Sequence, residues 1–130
     1  MELEGLLKAL GDRTRLRLLN LIREREVCVC YLIEVLKSPQ PKVSRHLAYL
    51  RRAGIVAARR EGYWMHYRIV QPKNTAAARV FQQVLASFAG DPQMQRDLTM
   101  LQKACRKPER FARLQGAPAP TPLHEVVTER

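Results

Sequence analysis

A proline-containing turn that leads into a helix with one narrow apolar face is the strongest constraint on the fold. Residues 37–41 read Lys-Ser-Pro-Gln-Pro, and proline is favoured in the first turn of a helix. Val43, Leu47 and Leu50 then recur at i, i+4 and i+7, so they share one face. We predict a helix at about residues 40–53, whose other faces carry polar side chains that are free to meet a partner.

A β-hairpin is predicted immediately after this helix, at about residues 55–70. Glu61 and Gly62 form a turn signal, and residues 64–70 are rich in side chains that favour strands. Arg59 and Arg60 lie near the tip of this hairpin. A short helix, a turn, a basic helix and a hairpin, in this order, are the pattern of a winged helix-turn-helix, with the hairpin as its wing.

Apolar periodicity predicts helices on both sides of this pattern. They fall at about residues 3–10, 13–24, 29 or 30 to 36, 75–88 and 92–105. The predicted fold class is mainly α (α+β), a winged helix-turn-helix with a two-stranded β-hairpin wing. Residues 1–106 are predicted to form one domain, and residues 107–130 a polar, proline-containing and flexible tail.

The chain of 130 residues carries a formal net charge of +11, and the excess is concentrated in the helix and hairpin. Residues 37–68 hold eight basic side chains against Glu61 alone, a local net charge of +7, with four aromatic side chains interleaved. Such a block suits the phosphate backbone of double-stranded DNA. No run approaches the roughly 20 apolar residues that span a bilayer, and no signal peptide is evident. We therefore expect a cytoplasmic protein with no membrane partner.

Side chains on the outer surface of the predicted helix and hairpin are the candidate DNA contacts. Glutamine and arginine can each bond a base edge in two places, so the polar residues early in the helix are placed in the major groove. Ser44 and His46 are expected to touch phosphate, and the tip of the wing is expected to meet the backbone or the minor groove. The candidate DNA-binding residues are Gln40, Lys42, Ser44, Arg45, His46, Tyr49, Arg59, Arg60 and Tyr63.

Cys28 and Cys30 flank a single valine directly before the helix-turn-helix pattern. Two such thiols are a good ligand pair for a soft, thiophilic ion. The remaining cysteine is Cys105, and an odd number of cysteines argues against a disulfide scaffold. A helix N-terminus and the nearby Arg23 and Arg25 are expected to favour the thiolate forms.

Helical geometry predicts how an ion held by Cys28 and Cys30 would act. Consecutive helix residues are rotated by about 100°, so positions i and i+2 point roughly 200° apart. Both thiols are then expected to hold one ion only if the start of that helix unwinds. Because the same helix leads through residues 37–41 into the basic helix, a distortion there would change DNA affinity.

Three segments resemble the ArsR/SmtB family of winged-helix repressors. Residues 9–19, Ala-Leu-Gly-Asp-Arg-Thr-Arg-Leu-Arg-Leu-Leu, resemble its second helix, and residues 27–30, Val-Cys-Val-Cys, resemble its metal and metalloid motif. Residues 39–67, with the run Gln-Pro-Lys-Val-Ser-Arg-His-Leu, resemble its recognition helix and wing. The resemblance covers roughly residues 3–70. It implies a homodimer formed by flanking dimerisation helices, and an inverted-repeat operator with half-sites about one helical turn apart.

The resemblance also implies a repressor that leaves DNA when trivalent arsenic or antimony binds cysteine thiolates, with no cofactor needed for DNA binding. Cys28 and Cys30 match the motif, but the position of the family's third cysteine is Ile33. Cys105, from the same or the partner subunit, is the remaining candidate metal ligand. A two-sulfur site is the alternative, which would suit a methylated trivalent arsenical or arsenic completed by a small thiol. The resemblance disfavours zinc, because related zinc sensors use aspartate and histidine after the wing and no histidine lies between residues 67 and 123 of this chain.

Two other functions fit parts of the pattern. A thiol-redox or persulfide-sensing repressor of the same fold would use Cys28 or Cys30 with Cys105, although such a switch does not need two adjacent thiols. An enzyme with a cysteine nucleophile needs an activating base. His46 and His66 both lie in the DNA-binding segment, and no orienting acid is evident in the sequence. We therefore expect no enzymatic activity.

Overall fold

The structure is a computed structural model that describes residues 3–123, so the ends of the predicted domain and tail, residues 1–2 and 124–130, lie outside the described residues. Each predicted helix is confirmed to within two residues at its ends, and so is the mainly α winged helix-turn-helix. No helix in the described range is long and apolar enough to cross a membrane. The helices are α1 (Leu3–Leu10), α2 (Arg13–Ile22), α3 (Val29–Leu36), α4 (Gln40–Arg52), α5 (Thr75–Ser87) and α6 (Pro92–Arg106), and the strands are β1 (Arg25–Cys28), β2 (Val56–Glu61), β3 (Trp64–Ile69) and β4 (Thr121–Pro122).

Short polar side chains determine where three of the helices begin. Asp12 accepts a hydrogen bond from the backbone N–H of Arg15 at the start of α2, and Asn74 caps α5 in the same way. Asp91 caps α6 and also accepts two hydrogen bonds from the guanidinium of Arg13, at 2.7 and 2.8 Å. This ion pair joins the beginnings of α2 and α6, which pack against each other.

The helix α4 buries the face that the sequence predicts. Lys37 ends α3 in the left-handed conformation, with φ 53°, and so turns the chain towards α4. Pro41 lies in the first turn of α4, where its missing N–H breaks no helical hydrogen bond. Val43, Leu47 and Leu50 are fully buried. Burial of each such side chain contributes about 1.5–3 kcal/mol, which holds α4 on the core through one face only.

The predicted wing is confirmed, but its sheet has four strands where the sequence predicts two. β2 and β3 form the hairpin, and Gly62 in its turn has φ 60°, a conformation that favours glycine. β1 pairs antiparallel with β3, and β4 pairs with the other edge of β1, which gives the order β2-β3-β1-β4. Both added pairings join segments that are distant in the sequence, so local patterns do not reveal them.

Residues 107–123, which the sequence assigns to the tail, pack against the domain. Two 3-10 turns, Pro108–Arg110 and Ala112–Leu114, follow α6, and the second packs on α3. Leu114 is 1% exposed, which anchors the segment by burial of an apolar side chain. The domain boundary at residue 106 stays a prediction.

Candidate DNA interface and thiol site

The outer side of α4 carries the side chains that are predicted to enter the major groove. Gln40, Lys42 and Arg45 are exposed, and Ser44 is half-buried. Their amide, ammonium, hydroxyl and guanidinium groups are the types that bond base edges and phosphates. Since α4 is attached to the core through its opposite face, this side can meet DNA without any change of fold.

His46 and Tyr49, also predicted to contact DNA, lie between α4 and α2. Nδ1 of His46 is 3.3 Å from Nη1 of Arg15 and 3.8 Å from Oδ1 of Asp12. The guanidinium of Arg15 lies 4.2 Å from the centroid of the Tyr49 ring, a cation–π contact. Burial lowers the pKa of His46 and outweighs the opposing charge of Asp12. Both side chains join α4 to α2, and their contact with DNA stays a prediction.

The tip of the wing is exposed, but one of its arginines is bound within the sheet. Tyr63 is 100% exposed, and Arg60 is exposed beside it. Arg59 donates from Nε and Nη2 to Oε1 of Glu26, at 2.9 and 2.6 Å. Nη1 of Arg68 is 3.5 Å from the other carboxylate oxygen of Glu26. The side chain of Glu26 is 1% exposed. The sequence predicts a DNA contact for Arg59, and the structure gives its guanidinium a buried carboxylate as a partner.

Cys28 and Cys30 lie at the junction between the sheet of the wing and the helix-turn-helix. Cys28 is the last residue of β1, with φ −64° and ψ 141°, whereas Cys30 lies in the first turn of α3. Because Cys28 stands outside the helix, the rotation between helical positions does not separate the two thiols. The assumption that both thiols are helical positions is therefore wrong, and the unwinding of α3 on ion binding stays a prediction.

Burial keeps the thiol of Cys28 protonated. Its side chain is fully buried, and this burial raises its pKa from the ordinary 9.0 to about 11. The backbone N–H of Cys30 lowers that pKa, while the thiol of Cys30 and the charge of Glu61 raise it further. The prediction that the helix N-terminus and nearby arginines favour the thiolate is wrong for Cys28, since desolvation outweighs them. A ligand that binds this sulfur therefore has to displace a proton.

One face of the sheet brings Cys28 together with polar side chains that the sequence did not identify as a site. Cys28 pairs with His66 of β3, which pairs in turn with Arg59 of β2, and directly paired residues project from the same face. Glu26, two residues before Cys28, shares that face. His66 is 3% exposed, and its Nε2 lies 2.9 Å from Oε1 of Glu61. The polar alternation in β1 and β3 would have revealed this face if their pairing had been known.

Cys105 lies on α6, which packs on α3. Burial raises the pKa of its half-buried thiol, although Arg25 acts in the opposite direction. Burial first, and then the charges of Cys105, Cys28 and Cys30, raise the pKa of Tyr31. Between residues 3 and 123, however, no three His, Cys, Asp or Glu side chains are close enough to hold a metal ion. Cys28, Cys30 and Cys105 as metal ligands stay a prediction.

The geometry defines a winged-helix protein with a candidate DNA interface and an adjacent thiol pair, and comparisons with known proteins agree with that class. A family model described as "Bacterial regulatory protein, arsR family" matches residues 12–58. An uncharacterized HTH-type transcriptional regulator of Methanocaldococcus jannaschii is 52% identical over 67 residues, which cover 51% of this chain and 75% of that protein. The chain belongs to the arsR family of transcriptional regulators.

Other similar proteins include two that are named for arsenic. An arsenic resistance transcriptional regulator of Pseudomonas putida is 56% identical over 63 residues, 48% of this chain and 49% of that protein. The arsenical resistance operon repressor of Escherichia coli is 49% identical over 65 residues, 49% of this chain and 56% of that protein. The match thus spans about half the length of each. Among solved structures, HlyU from Vibrio cholerae has a TM-score of 0.55 and 30% identity, with coverage of 65% of this chain and 89% of HlyU.

Proposed function

We propose that this protein is a metalloid-responsive transcriptional repressor. It binds an inverted-repeat operator as a homodimer and dissociates when trivalent arsenic or antimony binds cysteine thiolates. The observation that carries the proposal is the position of Cys28 and Cys30, which lie at the point where the sheet of the wing meets α3. The names of the two arsenic-resistance relatives support this choice of inducer.

In this proposal α4 is the recognition helix and the hairpin is the second contact with DNA. Gln40, Lys42 and Arg45 read or grip the major groove from the outer side of α4, and Arg60 and Tyr63 meet the backbone from the exposed tip of the wing. Each subunit of a two-fold dimer would contact one half-site, so the operator is expected to be an inverted repeat.

The helices outside the winged helix supply the dimer contact. Leu3 and Leu7 of α1 are 37% and 51% exposed, and as positions i and i+4 they share one face of the helix. Val80 and Val84 of α5 line a shallow groove on the surface. A second copy that covers these side chains would remove them from water, which supports a homodimer. We propose that the dimer acts in the cytoplasm, where thiols stay reduced.

Ligand binding at the thiols can reach both DNA-contacting elements. Towards the N-terminus, β1 carries Glu26, which holds Arg59 of the wing. Towards the C-terminus, α3 leads through the turn at Lys37 into α4. An ion that binds Cys28 and its neighbour displaces a buried thiol proton and reshapes this junction. An ion that favours the DNA-free state of the repressor over its DNA-bound state by about 5.5 kcal/mol would shift a 99:1 preference for the DNA-bound state to 1:99.

Two or three cysteine sulfurs would bind the inducing ion. Cys28 and Cys30 supply two sulfurs, and Cys105 of the same or the partner subunit is the proposed third. With two sulfurs only, the site would take a methylated trivalent arsenical, or arsenic completed by a small thiol. Soft thiolate ligands favour such thiophilic ions over hard cations.

A thiol-redox or persulfide-sensing repressor is the second candidate. Two observations favour it: Cys30 and Cys105 are both half-buried and so reachable by a small oxidant, and the described residues contain no group of three potential ligands that could hold a metal. The raised pKa of Cys28 weighs against it, because the thiolate is the form that reacts with oxidants.

The arsenic content of the purified, reduced protein tests the proposal. The full chain is incubated with arsenite, freed of unbound arsenic and analysed for bound arsenic per subunit. We expect one arsenic per wild-type subunit and none in Cys28→Ser or Cys30→Ser. Retention in Cys105→Ser would support the two-sulfur site, and loss would support a third sulfur. A wild type that takes up no arsenic but gains sulfur from a persulfide donor would favour the second candidate.

A further inference from the structure

The segment that follows α6 carries a cluster of exposed cations that the proposed repressor mechanism does not use. We call residues 107–122 the C-terminal strap. Lys107, Arg110 and Arg113 are exposed, and Arg106 precedes them at the end of α6. Glu109 is the single acidic side chain among residues 106–114. These cations lie outside residues 12–58, which match the family model.

Arg113, in the middle of the strap, lies beside α3, the helix that leads to the recognition helix. Nη1 of Arg113 is 3.6 Å from Oε1 of Glu34 on α3, and the other carboxylate oxygen of Glu34 is 4.0 Å from Nζ of Lys37. Lys37 is the residue at which the chain turns from α3 towards Gln40, the first residue of α4. One carboxylate therefore joins the strap to the turn that enters the proposed major-groove contact.

Gly116, three residues further along the strap, lies beside the wing. A Cβ atom at Gly116 would lie 3.8 Å from Cζ2 of Trp64, so the backbone passes close to this indole ring. Trp64 is the first residue of β3 and follows Tyr63, which is fully exposed at the tip of the wing. Residues 113–116 of the strap thus lie close to both α3 of the helix-turn-helix and the first residue of β3 in the wing.

Internal contacts hold the strap in this position. Leu114 is buried, and the side-chain amide of Gln115 lies 3.2–3.3 Å from the carbonyl oxygens of Pro108, Glu109 and Phe111. Arg110 and Arg113 are therefore presented from a fixed framework, while their side chains stay exposed. Fixed cations along one edge of a DNA-binding face are positioned to meet phosphates without any sequence preference.

We infer that the C-terminal strap is a further DNA-binding surface, which contacts backbone phosphates that flank each half-site. The inference rests on the proposed DNA-binding function, and it extends the interface beyond α4 and the wing. It assigns the strap a contribution to affinity that depends on salt and does not depend on base sequence. The logarithm of the DNA-binding constant falls linearly with the logarithm of the salt concentration. Removal of a cation that neutralises one phosphate should make this slope less steep by about 0.9.

The salt dependence of binding to a random-sequence duplex tests this without knowledge of the operator. The full chain is titrated by fluorescence anisotropy against a duplex about 40 base pairs long, at several salt concentrations. The test variant is Arg110→Gln/Arg113→Gln. The control is Lys73→Gln/Arg96→Gln, which removes the same charge from exposed positions before α5 and on α6. We expect a smaller slope for the strap variant, by about 0.9 for each phosphate that is no longer neutralised, and a wild-type slope for the control.

Equal slopes for the two variants would overturn the inference. A strap variant that instead loses dimerisation in sedimentation experiments would also overturn it, because the surface would then contact a second copy of this chain. A wild type that does not bind the duplex at any salt concentration would contradict the proposed function itself. Emission of Trp64, the single tryptophan, reports whether the strap stays folded. If it shifts in the double variant, Arg110→Gln alone provides the test, since it leaves the pair of Arg113 with Glu34 in place.

Discussion

The guanidinium of Arg59 is bound to the carboxylate of Glu26, with Nη2 2.6 Å from Oε1. Arg59 lies on β2 and Glu26 on β1, and β3 runs between these strands, so the pair crosses the width of the central sheet. The ion pair therefore ties the outer strand of the wing to the strand that ends at Cys28. In the proposed mechanism, this contact is the route by which a change at the thiols reaches the wing.

Replacement of Glu26 by glutamine should destabilise the fold. Glu26→Gln removes the charge with little change of size and leaves two guanidinium groups without their carboxylate. Loss of one partner from a buried pair costs about 3–5 kcal/mol. The side chain of Arg59 is 29% exposed and partly screened by water, so we expect a loss of about 2 kcal/mol. Urea unfolding measures it.

The matched control for Glu26 is Glu24→Gln, two residues earlier and exposed. Its free energy of unfolding should stay within about 0.5 kcal/mol of the wild-type value. Equal stability of the two variants would show that the buried ion pair does not hold the sheet together.

Lys42 and His46 should affect DNA binding in different ways, although both lie on α4. Lys42 is exposed, so Lys42→Ala should weaken DNA binding and lower its salt slope by about 1. His46 contacts Arg15 and Asp12, so His46→Ala should lower the stability of the fold and leave the salt slope unchanged. Anisotropy titrations and urea unfolding of the same preparations separate the two effects. A reduced slope in His46→Ala would instead place this imidazole on phosphate.

The three thiols should differ in their reactivity. Cys28 is fully buried, with its pKa raised to about 11, whereas Cys30 and Cys105 are half-buried. Because the thiolate is the nucleophile, iodoacetamide should modify Cys28 most slowly, with a rate that rises as pH approaches 11. Peptide mass spectrometry over time follows each site. Faster modification of Cys28 than of Cys30 in the native protein would contradict the burial of this thiol.

The same shift predicts a loss of stability at high pH. The folded chain keeps the proton on Cys28 to about pH 11, while a thiol with the ordinary pKa of 9.0 loses it earlier in the unfolded chain. Between pH 9.0 and 11 the folded state therefore binds more protons than the unfolded state. The contribution of the Cys28 proton to the free energy of unfolding is complete below pH 9.0 and is lost as pH rises towards 11. Cys28→Ala removes the effect. The difference in unfolding free energy between the two proteins should therefore change over this range and stay constant below it.

The contribution of Asp91 to stability should be lost at low pH, in contrast to that of Cys28, which is lost at high pH. The hydrogen bond from Arg13 lowers the pKa of Asp91 from 3.8 to about 2. This contribution is present above pH 3.8 and is lost as pH falls towards 2. Asparagine also caps helices, so Asp91→Asn removes the charge and keeps a cap for α6. The melting temperature of the variant should approach that of the wild type as the acid titration proceeds, and a constant gap would contradict the assignment.

Local sequence patterns predicted the elements whose formation is local. The spacing of Val43, Leu47 and Leu50 predicted the buried face of α4, and the turn signal at Gly62 predicted the hairpin. The pairing of β1 with β3, and with it the polar face, could not be predicted because it joins segments that are far apart in the chain. No local pattern indicates which of several strands a four-residue segment will join.

The candidate site was predictable in its residue types more than in its environment. The spacing of Cys28 and Cys30 identified the thiol pair, but their surroundings depend on tertiary packing. Burial of Cys28 reverses the expected effect of nearby charges on its pKa. The ion pair of Arg59 with Glu26 joins residues 33 positions apart, so the sequence alone left Arg59 assigned to DNA.

Release of DNA by arsenite tests the central claim most directly. The reduced full chain is bound to a labelled operator selected by this protein from a random-sequence library, and anisotropy is followed during titration with arsenite. We predict release from the wild type at micromolar arsenite and continued binding by Cys28→Ser and Cys30→Ser. Continued binding by the wild type throughout the titration, or release that persists in both variants, would contradict this claim.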